Sequence, residues 1–137
     1  MTIRINSSVR ILVADDNEAI RNSLCSALQS QAGWTVCGEA TDGHDAFEKA
    51  VELKPDVILL DVSMPRLNGF ETAARIHEQI PDVEILIVTE HDSRTLAHVV
   101  SQPGVRGYVI KSRIERDLIP AVEAASKHQP LASSTAA

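Results

Sequence analysis

Four short apolar blocks constrain the fold of this chain more than any other feature of its sequence. They are rich in Val, Ile and Leu and lack polar alternation, which is typical of strands buried on both faces of a parallel sheet. A fifth run contains Thr35 and Glu39 and predicts an edge strand. The predicted strands cover residues 9–14, 34–40, 56–60, 84–88 and 105–110.

Helical patterns lie between these blocks. Ile20, Leu24, Ala27 and Leu28 form one apolar stripe within residues 17–31, as expected for an amphipathic helix. Similar stripes begin near residues 46, 70 and 118, and a weaker one covers residues 93–101. The repeated strand–helix unit predicts an α/β fold, an open parallel sheet with helices on both faces.

The length of 137 residues favours a single domain. We expect that domain to cover residues 9–127, with terminal tails at 1–8 and 128–137. Pro120 interrupts the last helical pattern, because proline removes a helical hydrogen bond. We therefore expect a final helix that starts late, with its N-cap at Asp117, or one that is kinked.

Composition narrows the classes of function. The 13 Lys and Arg residues against 19 Asp and Glu residues give a formal charge of -6, which argues against a nucleic-acid-binding surface. No apolar run approaches the ~20 residues of a membrane span. Residues 1–6 contain no apolar h-region, so we do not expect secretion. Cys25 and Cys37 match no metal or redox spacing, and we expect reduced thiols in a cytoplasmic protein.

Polar residues stand at the carboxyl ends of the predicted strands, where such sheets bind ligands. Asp15 and Asp16 follow the first strand, Asp61 the third, Thr89 the fourth and Lys111 the fifth. Taken singly, each has a structural explanation: Asp16 as a helix cap, Asp15 as a solvated acid, Lys111 as a surface charge. With a strand order of 2-1-3-4-5 they would all share one rim.

The charge of this set favours a divalent cation. Three carboxylates and one ammonium leave about -2 in a small cavity, and oxygen ligands of this kind suit Mg²⁺. A phosphoryl group on Asp61 would bring the aspartates and phosphoryl to about -4. Mg²⁺ and Lys111 would return the total to about -1, so the set suits an acyl phosphate only with a metal.

Four motifs resemble the response-regulator receiver domain of two-component signalling. They are Ile11-Leu12-Val13-Ala14-Asp15-Asp16, Val57-Ile58-Leu59-Leu60-Asp61-Val62-Ser63-Met64-Pro65 with Asn68-Gly69, Ile87-Val88-Thr89, and Gly107-Tyr108-Val109-Ile110-Lys111. The resemblance covers residues 9–127. It implies a flavodoxin-like (βα)5 three-layer sandwich with strand order 2-1-3-4-5.

By this resemblance, Asp61 is the phosphoacceptor, and its carboxylate attacks a phosphohistidine of a sensor histidine kinase. Asp16, Asp61 and the backbone carbonyl of Ser63 would bind Mg²⁺ directly, and Asp15 largely through water. Lys111 would pair with the phosphoryl oxygens. A receiver of this kind is a signalling domain with intrinsic acyl-phosphate hydrolysis and not a turnover enzyme.

The resemblance also implies a conformational switch. Thr89 would donate its hydroxyl to a phosphoryl oxygen, and Tyr108 would rotate inward into the space that Thr89 vacates. This movement would repack the surface of the fourth helix, fifth strand and fifth helix, where an unknown output partner binds. A half-buried Tyr108 with its hydroxyl in water is the plain structural alternative.

Some positions depart from the family pattern. Glu90 stands where a small residue is usual. Ser63, Glu90 and His91 are at positions where the side chain could set the rate of acyl-phosphate hydrolysis. Glu90 and His91 could equally point into solvent. Ser112 follows Lys111 where many receivers have proline, which resembles receivers of the LuxR-type helix-turn-helix subfamily. We expect either a stand-alone receiver or one that has lost its output domain, without direct nucleic-acid or membrane binding.

Two other functions stay open for this fold. The chain could be a phosphorelay intermediate or phosphate sink, with a phosphotransfer protein as its partner, or an adaptor that signals without phosphorylation. Its oligomeric state could be a monomer or a phosphorylation-dependent dimer. A flavodoxin is disfavoured because acidic residues in the first loop would repel a phosphate, and an aspartyl phosphatase is disfavoured because the spacing of its paired acids is absent.

Overall fold

A computed structural model describes residues 8–62, 69–90 and 94–127 of the chain. Strands and helices alternate along these residues, as the apolar blocks predict. The elements are β1 (Val9–Ala14), α1 (Glu18–Gln29), β2 (Trp34–Ala40), α2 (Gly43–Leu53), β3 (Val57–Asp61), α3 (Gly69–Gln79), β4 (Glu84–Thr89), α4 (Arg94–Val100), β5 (Val105–Ile110) and α5 (Ile114–Ser126), with a 3-10 turn at Lys111–Arg113 before α5.

The strands form one parallel sheet in the order β2-β1-β3-β4-β5. This order confirms the one implied by the resemblance. The more polar strand β2 lies at an edge, as Thr35 and Glu39 predicted, and both side chains are exposed. The sheet therefore places β1, β3, β4 and β5 side by side.

Two hydrophobic cores cover the two faces of the sheet. Ile11 and Val13 point to the side of α1 and α5, whereas Leu12 and Ala14 point to the side of α2, α3 and α4. Because the strands bury both faces, the blocks contain continuous apolar residues. A fully buried Leu such as Leu12 contributes about 1.5–3 kcal/mol of transfer free energy, so each apolar strand residue holds the layers together.

The strand register brings the carboxyl ends to one level. Ala14 pairs with Leu60 across β1 and β3, and the next residue of β3, Asp61, pairs with Val88 of β4. Thr89 follows Val88 and ends β4. The polar residues that end or follow these strands are thus held at one edge of the sheet.

The final helix starts earlier than predicted. An N-cap at Asp117 is wrong, because α5 begins at Ile114 and continues through Pro120. The apolar side of the helix is buried, with Leu118 and Val122 completely inaccessible, and this packing outweighs the hydrogen bond that Pro120 cannot donate. Pro120 itself is on the exposed side.

Both cysteines are unpaired in the structure, as their spacing predicted. Cys25 is buried and Cys37 is half-buried. Burial raises the pKa of the Cys25 thiol to about 11, so this side chain is an inert thiol at neutral pH.

Candidate functional site

Three acidic side chains meet at the carboxyl edge of the sheet. Asp15 follows β1, Asp61 ends β3, and Asp16 is next to Asp15 in the chain. One carboxylate oxygen from each lies within 4.8 Å of the others. Asp15 and Asp61 are fully buried, whereas Asp16 is exposed. We call these three residues the acidic cluster.

Lys111 reaches the acidic cluster from the end of β5. Its Nζ donates a hydrogen bond to Asp61 Oδ2 at 3.2 Å, and it lies 3.4 Å from Asp15 Oδ2. The Lys111 side chain is only 11% exposed. The alternatives of a surface lysine and a solvated Asp15 are therefore wrong, because both side chains are enclosed in one ion-paired group.

The electrostatics of the cluster follow from its burial. Desolvation raises the pKa of the Asp15 carboxyl and Asp61 adds to the rise, against the opposing Asn17 N–H and Lys111. Desolvation opposes the charge of Lys111, but the Asp61 and Asp15 carboxylates outweigh it and raise the pKa of that ammonium. Lys111 therefore stays cationic, and burial, with a smaller contribution from the charge of Asp61, disfavours an ionised Asp15.

The donor set fits a hard divalent cation. Asp15 Oδ2 is buried and accepts no hydrogen bond from the residues that the structure describes. It is ion-paired with Lys111 Nζ at 3.4 Å, which also faces Asp61, so one ammonium is shared by two buried carboxylates and a further cation would be stabilised here. Mg²⁺ prefers oxygen ligands of this kind, with waters completing its coordination. Ser63, whose carbonyl the resemblance implies as a further ligand, lies outside the described residues.

Two residues hold the loop between β1 and α1, and the sequence patterns did not identify them. Asn17 caps α1, since its Oδ1 accepts the Ile20 N–H at 2.9 Å; the alternative of Asp16 as the cap is wrong. The Asn17 N–H also donates to Asp15 Oδ1 at 2.9 Å. Arg21 donates to the Asp15 backbone oxygen at 2.8 Å. Because Asn is a favoured N-cap residue, the position of Asn17 at the helix start could have indicated its contact with the Ile20 N–H.

The remaining predicted site residues lie on β4 and β5 or directly after them. Thr89 ends β4 and is buried, with 6% of its surface exposed. Tyr108 is half-buried and packs against the core on the side of α2, α3 and α4. Glu90 is exposed, in agreement with the alternative that it points into solvent. His91 lies outside the described residues.

The combination of a 2-1-3-4-5 parallel sheet with an acidic cluster and a lysine at one edge defines a class of signalling domain. The family model "response regulator receiver domain" matches residues 11–123. This chain belongs to that family. Receiver domains act in two-component systems, where phosphorylation-dependent signalling is their general role, and they are not turnover enzymes.

The curated relatives of this chain include transcriptional regulatory proteins. The chain is 37% identical over 123 residues to the uncharacterized transcriptional regulatory protein YxjL of Bacillus subtilis. The aligned region is 90% of this chain and 56% of that protein. It is 34% identical over 129 residues to the transcriptional regulatory protein LiaR of the same organism. Here the aligned region is 94% of this chain and 61% of that protein. The chain thus spans less than two thirds of the length of these relatives.

Solved structures agree with this assignment. A LuxR-family two-component response regulator from Aurantimonas sp. has a TM-score of 0.84 and 29% identity, covering 90% of this chain and 89% of that one. The receiver domain of the putative response regulator NarL from Mycobacterium tuberculosis has a TM-score of 0.82 and 29% identity, covering 90% and 100%. The predicted resemblance and fold class are confirmed.

The helices of this fold are short compared with the roughly 20 apolar residues that cross a bilayer. Within residues 8–62, 69–90 and 94–127, none of them has the length and apolar character needed to span a membrane.

Proposed function

We propose that this receiver accepts a phosphoryl group on Asp61 from a sensor histidine kinase and thereby changes its affinity for an output partner. The observation that carries the proposal is the buried ion-paired group of Asp15, Asp61 and Lys111. Burying two carboxylates against one ammonium leaves an uncompensated negative charge, which is costly for a purely structural group. A functional site explains why this cost is retained.

The sheet order favours Asp61 over Asp15 as the acceptor. β3 lies between β1 and β4, so Asp61 has Asp15 and Asp16 on one side and Lys111 on the other. A phosphoryl group on Asp61 would then be next to the metal-binding acids and within reach of the ammonium. Lys111 Nζ lies at similar distances from both acids, 3.2 Å from Asp61 and 3.4 Å from Asp15, so the central position of β3 beside β4 is what favours Asp61.

The transfer is a nucleophilic displacement at phosphorus. An Asp61 carboxylate oxygen forms a bond to phosphorus while the bond to the kinase histidine nitrogen breaks, and the leaving imidazole keeps that electron pair. Lys111 neutralises negative charge on the phosphoryl oxygens. Asp15, Asp16, Asp61 and the Ser63 carbonyl would hold Mg²⁺, which supplies charge neutralisation and orientation. Positioning replaces a dedicated base.

The proposed switch uses Thr89 and Tyr108. Thr89 is buried at the end of β4, beside the strand that carries Asp61. Tyr108 packs only partly into the core, so its ring has both a buried and an exposed environment within reach. A Thr89 hydroxyl bonded to the phosphoryl group would favour the inward ring and alter the surface of α4, β5 and α5.

Further roles follow from the family and its relatives. Glu90, Ser63 and His91 would set the lifetime of the phosphorylated state. The relatives named above as transcriptional regulators point to gene regulation as the pathway that this receiver serves, through a partner bound at the α4, β5 and α5 surface. The domain would cover residues 9–127 and work in the cytoplasm, as a monomer or as a dimer formed on phosphorylation.

Labelling with acetyl phosphate and Mg²⁺ tests the acceptor. The wild-type chain is expected to gain one phosphoryl group by intact-mass spectrometry, and Asp61→Asn to gain none. Asp82→Asn, an exposed acid in the turn between α3 and β4, is the matched control and should be labelled like wild type. Labelling of Asp61→Asn would place the acceptor at another residue. No labelling of a metal-loaded wild type would leave the phosphorylation-independent adaptor as the function.

Fluoroberyllate with Mg²⁺ tests the switch separately from phosphoryl chemistry. NMR resonances of Tyr108 and the α4, β5 and α5 surface should shift in wild type, whereas Thr89→Ala should bind the analogue without the Tyr108 shift. Equal Tyr108 shifts in both proteins would contradict the role of Thr89.

A phosphotransfer assay tests the alternative of a phosphorelay intermediate. Transfer of the phosphoryl label from the receiver to a phosphotransfer protein would identify that function instead.

A further inference from the structure

We infer that Arg21 is a positioning residue for the magnesium site, and that it acts through the peptide group between Asp15 and Asp16. This inference rests on the function proposed above. Among the described residues, Arg21 contacts neither the Asp15 carboxylate nor the Asp16 carboxylate. Its role would be to hold the backbone from which both carboxylates extend.

The backbone of Asp15 is fixed from two directions. Its N–H donates to the Ala40 oxygen of β2 at 3.0 Å, and its carbonyl oxygen accepts from Arg21 Nη1 at 2.8 Å. The second contact determines the orientation of the peptide plane that leads to Asp16. Because Asp16 is exposed, core packing does not hold its side chain, and this peptide plane sets its direction.

The guanidinium is itself held in place. Arg21 Nε donates to Glu39 Oε1 at 2.8 Å, and the Arg21 side chain is only 15% exposed. Lys49 Nζ donates to the Glu39 backbone oxygen, which secures the strand that carries this acid. Arg21 therefore uses two edges of its planar fork at once, a geometry that lysine cannot reproduce.

The direction in which Mg²⁺ affinity changes on substitution of Arg21 distinguishes a positioning role from a charge effect. Removing a cation near an acidic cluster should, by Coulomb's law alone, strengthen binding of Mg²⁺. Removing a group that orients metal ligands weakens binding, typically by about 10–100-fold. Arg21→Met is therefore expected to bind Mg²⁺ about tenfold more weakly than wild type in titration calorimetry. Arg21→Lys, which keeps the charge but loses the fork, should change in the same direction.

Arg10 offers a matched control at the opposite end of β1. Its Nη1 also donates to backbone carbonyls, those of Leu53 at 2.7 Å and Lys54 at 3.0 Å. Arg10→Met removes an equivalent contact far from the acidic cluster, so its affinity for Mg²⁺ should equal that of wild type. In metal-free samples, the ¹⁵N order parameter of the Asp16 amide should fall in Arg21→Met and stay unchanged in Arg10→Met.

The outcomes are distinct. Equal or tighter Mg²⁺ binding by Arg21→Met and Arg21→Lys, with wild type binding normally, would overturn this inference alone. An equal loss in Arg10→Met would overturn it as well, since the effect would then be global. A wild-type chain that binds no Mg²⁺ would overturn both the proposed magnesium site and the positioning role.

Discussion

At the scale of single residues, Asp15 shows the conflict between stability and the site. Desolvation raises its pKa above the ordinary value of 3.8, so the folded state binds its proton more tightly than the unfolded state does. This tighter proton binding stabilises the folded state fully below pH 3.8. The stabilisation is lost as the pH rises through the pKa that Asp15 has in the folded state. Ionisation of this buried carboxyl therefore costs the folded state more free energy than it costs the unfolded state.

Asp15→Asn should stabilise the metal-free protein at neutral pH. The amide can still accept the Asn17 N–H, while the burial cost of the charge is removed. We expect a gain of about 0.5–2 kcal/mol, the usual range for a single stabilising substitution. Urea unfolding in EDTA at pH 7 measures it, and the gain should shrink toward zero near pH 3. A gain that does not depend on pH would contradict the assignment to ionisation.

The sequence predicted which residues gather at the site but not their environments. Asp15 and Asp16 are neighbours in the chain, yet one is completely buried and the other is exposed. That difference depends on where the backbone turns after β1, which composition and periodicity do not encode. Arg21 was missed because the contacts of a long side chain depend on tertiary structure, here on the position of Glu39 across from α1.

At the scale of elements, the turn between α4 and β5 depends on one glycine. Gly104 has a φ of +90°, which side chains rarely adopt. An added Cβ would lie 2.6 Å from His77 Nδ1 and 3.1 Å from His77 Cβ. The turn therefore packs directly against α3, and the absence of a side chain at residue 104 permits this contact.

Gly104→Ala should destabilise the protein by about 1–3 kcal/mol, since backbone strain and overpacking both contribute. Adding His77→Ala should recover part of the loss in a double-mutant cycle measured by urea unfolding. Gly33→Ala is the matched control, because Gly33 has a similar φ of 85° and reports the backbone strain. Additive effects of Gly104→Ala and His77→Ala would show that the imidazole contact is unimportant.

Pro120 lies in the interior of α5 although its ring disfavours that position. Proline costs about 3 kcal/mol in a helix interior, offset in part by the lower entropy of the unfolded chain. Pro120→Ala should therefore raise the free energy of unfolding by about 1–2 kcal/mol in urea. Glu115→Ala, also exposed on α5, should change it by less than about 0.5 kcal/mol. Destabilisation by Pro120→Ala would mean that the ring makes favourable contacts.

At the scale of the whole molecule, the apolar blocks determine the fold class but not the arrangement of the strands. Blocks such as Val9–Ala14 and Glu84–Thr89 are buried on both faces, so their patterns do not distinguish one neighbour from another. The order β2-β1-β3-β4-β5 was available only through the resemblance to receivers. The start of α5 could not be predicted because the stability of its first turns comes from packing on the sheet.

Mg²⁺ should couple the site to the stability of the entire domain. A ligand that binds only the folded state stabilises it by about 2.7 kcal/mol at a hundred times its dissociation constant. Wild type should thus show a Tm that rises with MgCl₂ at constant ionic strength in scanning calorimetry. Asp61→Asn should lose most of this rise, because one ligand of the acidic cluster becomes neutral, while Asp82→Asn should keep it. The constant ionic strength matters because general screening would also relieve repulsion in a chain of charge -6. An equal rise in Asp61→Asn would place the bound cation elsewhere on the surface.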